Sequence, residues 1–126
     1  MAHIFIESLL NFINGQTGLS VSLAQKTENS ILLRIIPGAP LDADLVEGQT
    51  WDFSFQILTK HDDQLIAYQQ AEQIKDLLHG LTYGAFETDS HELIRMECTT
   101  TPNWVETNDR KQDLYTALFS AEIIKK

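Results

Sequence analysis

Residues 51–57 read Trp-Asp-Phe-Ser-Phe-Gln-Ile, an unbroken alternation. Trp51, Phe53, Phe55 and Ile57 fall on one face of an extended chain, and Asp52, Ser54 and Gln56 fall on the other. A period of two over this length predicts a half-buried β-strand. After Lys60-His61-Asp62-Asp63 the period lengthens to about 3.6 residues. Ala67, Ala71, Ile74 and Leu78 then form one apolar stripe among Gln, Glu, Lys and Asp, which predicts an amphipathic helix. A strand that hands over directly to a helix gives the chain its centre, and the flanking segments are read against it.

Toward the N-terminus, Ile6, Leu9, Leu10 and Ile13 recur at helical spacing, so residues 3–14 are expected to be a helix stopped at Asn14-Gly15, with a turn over 15–18. Leu19, Val21 and Leu23 alternate with serines in a short strand. Lys26-Thr27-Glu28-Asn29 reads as a hairpin turn into a second strand over 30–36, which is apolar on both faces except at Arg34 and so belongs inside a sheet. Pro37-Gly38-Ala39-Pro40 ends it, and residues 41–49 form a loop carrying Asp42, Asp44 and Glu47. Toward the C-terminus, His79-Gly80 closes the second helix and 82–90 is another loop. Residues 91–99 alternate with Ile94, Met96 and Cys98 on one face. Residues 102–110 read as a polar loop around Trp104. The last strand, about 113–124, places Tyr115, Ala117, Phe119, Ala121 and Ile123 together.

The order is α-β-β-β-α-β-β. Short connections between consecutive strands favour antiparallel pairing. The expectation is an α+β domain spanning residues 1–126: a mostly antiparallel sheet of four to five strands with two helices packed on one face.

Composition narrows the function. Eighteen acids against nine bases give a formal charge of −9, a poor match for a phosphate backbone. A single cysteine excludes an intramolecular disulfide and any zinc site built on paired cysteines, and its alternation with Ile94 and Met96 makes Cys98 a small core residue. The apolar N-terminus is interrupted by Glu7 and Asn11 and is too short to span a bilayer, so no membrane association is expected. The chain reads as intracellular and soluble.

Catalytic signatures do not emerge. His61-Asp62-Asp63 has the letters of a metal site, but it stands at a helix start, where acids cap free N–H groups and oppose the positive end of the dipole. His3, His79 and His91 are scattered. Asp42, Asp44 and Glu47 lack the spacing of a calcium loop. No nucleophile elbow and no glycine-rich phosphate loop is present. The expectation is a protein that is not an enzyme and carries no metal or cofactor. Trp104 stands out: a tryptophan in a polar loop either folds back on the core or anchors a partner.

Three passages together resemble the tail terminators of tailed bacteriophages, a group of phage minor capsid proteins. They are the N-terminal helix Ile4 to Ile13 with its weak following strand, the Trp51–Ile57 strand running into the Ala67/Ala71/Ile74/Leu78 helix, and the closing strand from Leu114 to Glu122 after a Thr/Pro/Trp loop. The resemblance implies a virion protein, assembled in the host cytoplasm, that forms a ring, typically a hexamer, on the finished tail tube. The implied partners are further copies of the chain, the major tail tube protein and the head–tail connector protein, with DNA passing through the lumen unbound.

A closed ring needs heterologous contacts, and a strand edge left bare in the monomer can supply one. Trp104, Tyr115 and Phe119 are therefore the candidate subunit-contact residues, and the acidic loop of Asp42, Asp44 and Glu47 is expected to face the lumen or a neighbouring ring. Two readings compete: a small intracellular dimeric binding module using the 37–50 and 82–90 loops, and another head–tail joining or minor capsid component.

Overall fold

A computed structural model of the chain describes residues 2–36, 50–82 and 91–125. Two helices and five strands occur in the order α1 (Ala2–Thr17), β1 (Val21–Ser22), β2 (Ser30–Ile35), β3 (Thr50–His61), α2 (Gln64–Leu78), β4 (His91–Thr107) and β5 (Asp113–Lys125). The strands form one mixed, mostly antiparallel sheet in the order β1-β2-β3-β5-β4. This is the expected α+β class.

The core lies between one sheet face and the two helices. Phe53, Phe55 and Ile57 of β3 and Ala117, Phe119, Ala121 and Ile123 of β5 are all buried, as their alternation requires. Phe5, Ile6, Leu9 and Ile13 of α1 and Ala67, Ala71, Ile74 and Leu78 of α2 cover them. Phe55 lies directly opposite Phe119 in the register, and their rings stack 5.2 Å apart at 11°. Phe5 meets Phe53 edge-on at 5.6 Å.

β3 runs four residues past Ile57 because Thr59 is also core-facing. Its hydroxyl donates to the Ala67 carbonyl at 2.8 Å, which satisfies a buried polar group and ties the strand to α2. The helix then starts on Asp63, whose carboxylate accepts the N–H groups of Leu65 at 3.0 Å and Ile66 at 3.4 Å. The Asp63 N–H in turn donates to His61 Nδ1. Replacing Asp63 with Ala should cost about 1 kcal/mol of stability, read as a lower urea midpoint at unchanged slope; no change would show that the cap contributes nothing.

Four local expectations are corrected. First, α1 passes through Gly15 and ends at Thr17, where Gly18 follows with a φ of +73° that suits the left-handed position closing a helix. Asn14 does not stop the helix. Its side-chain amide donates to the Val21 carbonyl and accepts the Val21 N–H, standing in for a further strand beside β1. Second, β1 pairs with β2 in parallel, Val21 beside Ile31, so residues 26–29 do not make a hairpin turn. Third, Ile94 does not share a face with Met96. The register slips between Leu93 and Arg95, Ile94 is the extra residue of a bulge, and Leu93 is the buried side chain. Fourth, residues 102–107 are not loop: β4 continues to Thr107, with Pro102 tolerated because β4 is the edge strand.

The β4–β5 turn is organised by Asn108, whose Oδ1 accepts from the Arg110 and Gln112 N–H groups. Lys111 sits at φ 60° within it. Left-handed backbone costs a non-glycine residue roughly 1–2 kcal/mol, and glycine gives back part of that as unfolded-state entropy. Lys111→Gly should therefore stabilise the protein by about 0.5–1 kcal/mol, visible as a raised melting temperature; a lowered one would mean that the Lys111 side chain contributes more than its backbone strain costs.

Candidate assembly surface

The two ends of the sheet are finished differently. At β1 the outermost backbone groups of Val21 are taken by Asn14. At β4 the first half is covered: Gly80 N–H donates to the Met96 carbonyl at 2.9 Å, Met96 N–H to the Leu81 carbonyl at 2.8 Å, and Cys98 N–H to His79 Nδ1 at 3.0 Å. Beyond Cys98, no backbone partner lies on the outer side of β4 among the described residues. A strand edge left in this state is a template for another chain.

Trp104 stands on that bare half. It pairs with Tyr115 across the β4–β5 ladder, so the two side chains lie side by side on the helix-bearing face. The indole N–H donates to Asp113 Oδ1 at 3.1 Å, and Thr107 Oγ1 donates to the same oxygen at 2.7 Å. The ring is thus held at its polar edge while 51% of the residue remains exposed. Of the two alternatives for this tryptophan, folding back on the core is not what it does. Tyr115 accepts a hydrogen bond from Gln64 Nε2 at 3.0 Å and meets Tyr68 edge-on at 5.6 Å. Leu65, 62% exposed, and Tyr68, 39% exposed, complete the patch. A shallow hollow of about 230 Å³ lies among Gln64, Leu65, Tyr68 and Tyr115. The neighbouring Glu72 carboxylate holds the Tyr68 phenol above its usual value.

The remaining candidates separate. Phe119 is 1% exposed and stacked on Phe55 in the core, so it has no surface to offer a neighbour. Asp42, Asp44 and Glu47, and the 37–49 and 83–90 parts of the two loops, lie outside the described residues. Cys98 packs against the core, its thiol donates to the Thr100 carbonyl, and burial pushes its pKa up, the opposite of an activated nucleophile. Among the described residues, no three His, Cys, Asp or Glu side chains converge as metal ligands, and no helix is long and apolar enough to cross a membrane.

Sequence reading missed Leu65 and Tyr68. The signal was present: both are large and lie off the Ala67/Ala71/Ile74/Leu78 stripe, on the face of α2 that solvation should have kept polar.

Comparison with known proteins gives a family and a fold. A family described as bacteriophage tail terminator protein matches residues 13–125. Among solved structures, a chain in a structure described as the virion of a native gene transfer agent particle superposes with a TM-score of 0.54 at 13% identity, over 90% of this chain and 84% of that one. At that identity the likeness speaks for the fold. No curated protein matches the sequence.

Proposed function

This chain belongs to the bacteriophage tail terminator family, and from that premise we propose that copies of it close into a hexameric ring that caps the tail tube and meets the head–tail connector. Family membership makes the chain a structural component of the virion at the tail and head–tail junction, with tail and head components as its partners. The ring, its copy number and its contacts with the tube and connector proteins are our reading.

The observation that carries it is the juxtaposition of a bare strand edge with an anchored, half-exposed tryptophan. Trp104 and Tyr115, with Tyr68 and Leu65 beside them, form one half of a heterologous contact. Their aromatic area is rigid, so little side-chain entropy is lost on docking. Asn14 closes the opposite sheet end, so β4 does not pair head to tail with β1; on the ring reading a surface of the next copy other than its sheet edge meets β4. The net charge of −9 suits a lumen through which DNA slides without being held. The whole chain acts as one structural unit without catalysis or cofactor, assembling in the host cytoplasm.

Light scattering across a concentration series tests the copy number. Six chains of 14.3 kDa give a particle of about 86 kDa at high concentration. A species held at twice the chain mass at every concentration would favour a dimeric module and contradict the ring.

A further inference from the structure

An edge without partners is a template only where its N–H and C=O groups are free and evenly spaced. β4 divides on that criterion. Over Arg95–Cys98 its register with β5 is unbroken, and there the chain covers the edge itself: Gly80 and Leu81 take both backbone groups of Met96, and His79 takes the Cys98 N–H. Beyond Cys98 nothing covers the edge among the described residues, but the strand is deformed. Nine residues of β4, Cys98–Glu106, stand against six of β5, Leu114–Phe119, with register slips at Cys98/Thr100, Thr100/Asn103 and Trp104/Glu106. Each slip bends the strand and breaks the spacing that an added strand would have to match.

In the deformed half the backbone groups are also spent. The Cys98 thiol donates to the Thr100 carbonyl at 3.1 Å, the Asn103 side-chain amide donates to the Thr101 carbonyl at 3.0 Å, and Pro102 has no N–H to give. Three successive residues therefore each lack one of the two groups that a new ladder would use. The Asn103 amide also reaches the Thr116 carbonyl at 3.3 Å, which holds it in place over β5. Immediately after this stretch come Trp104, anchored on Asp113 and half exposed, and Val105, 45% exposed.

We propose that Cys98–Asn103 is a guard that stops β4 from adding a strand, so that a second copy engages this edge through the Trp104 and Val105 side chains and not by extending the sheet. The proposal deepens the ring reading by naming how the contact is made. With β4 blunted here and Val21 of β1 closed by Asn14, free copies cannot add to one another's sheets without limit. The distinction matters for selectivity. Ladder pairing reads backbone alone and accepts any exposed strand, whereas side-chain docking reads shape and selects one neighbour.

The test starts from a Trp104→Ala chain, which the ring reading expects not to assemble. Into it go Pro102→Val, which restores an N–H, and Asn103→Val, which frees the Thr101 carbonyl. In sedimentation the unguarded chain should self-associate at a concentration at least about tenfold below that of its Trp104→Ala parent. Amide exchange should show new protection over residues 99–107. Adding Thr101→Lys, a charge on the edge, should return the chain to the parent's behaviour. Should the double variant unfold, Pro102→Ala, which restores the N–H alone, gives a smaller shift in the same direction. Association no stronger than the parent's, association without protection along β4, or association indifferent to Thr101→Lys overturns the guard. The two readings fail separately. A Trp104→Ala parent that still forms rings removes Trp104 as the ring contact, while the guard is read from the difference between the parent and the unguarded chain.

Discussion

Phe119→Ala should be the most damaging single substitution to the fold, costing about 3–5 kcal/mol. Phe119 is fully enclosed and lies opposite Phe55 in the unbroken register of β3 and β5, with the rings stacked at 5.2 Å. Truncation removes the buried ring, opens a cavity between β3, β5 and the helices, and forfeits the stacking, worth about 0.5–1.5 kcal/mol beyond area. A domain of this size holds about 5–15 kcal/mol in total, so the loss is a large share. With a urea slope of about 2 kcal/mol per molar, the midpoint should fall by about 2 M. Phe119→Leu keeps most of the volume and should cost much less. A midpoint shift below about 0.5 M for the alanine variant would show that the sheet is not held together where its two central strands meet.

Trp104→Ala should have the opposite profile, with a small effect on stability and a large one on assembly. Half of the residue is already in water, so folding loses little when it is removed. At an interface centre, an anchored tryptophan costs 2 kcal/mol or more when truncated, about thirtyfold in affinity per contact. Every subunit of a closed ring carries the defect, so the concentration at which rings form should rise by more than a single contact would predict. Trp104→Phe, which keeps a ring but loses the hydrogen bond to Asp113, should fall between the two. Circular dichroism confirms folding, and sedimentation reads the assembly midpoint. A Trp104→Ala protein that assembles at the wild-type concentration would remove this surface from the account.

The elements that could be read from sequence are those whose side chains keep one period. The Phe53–Ile57 part of the Trp51–Ile57 alternation, the Ala67/Ala71/Ile74/Leu78 stripe and the Ala117–Ile123 alternation each put their apolar residues in one place, and burial follows them. Readings failed where a polar residue hid continuity or a local slip reset the phase. The apolar alternation stops at Ile57, and Thr59 continues the buried face only because the fold supplies its hydroxyl with a partner, the Ala67 carbonyl. Ile94 misled because a bulge shifts the phase of β4 by one. Pro102 and Asn103 argued for a loop, and only the edge position of β4 makes them acceptable in a strand. The parallel pairing of Val21 with Ile31 spans two residues, too few for any periodicity to declare. At the candidate site Trp104 and Tyr115 were visible as large aromatics near the chain's end, but their register across β4 and β5, and their meeting with Tyr68 and Leu65 on α2, are tertiary facts.

On the ring reading this chain is a scaffold whose function is displayed at its bare strand edge. Electron micrographs of isolated tail tubes incubated with the purified protein test that claim most directly. The predicted result is a closed ring of a single, discrete copy number seated at one end of each tube, absent when Trp104→Ala replaces the wild-type chain. Protein scattered along the tube wall, open filaments, or bare tube ends at saturating concentration would contradict it.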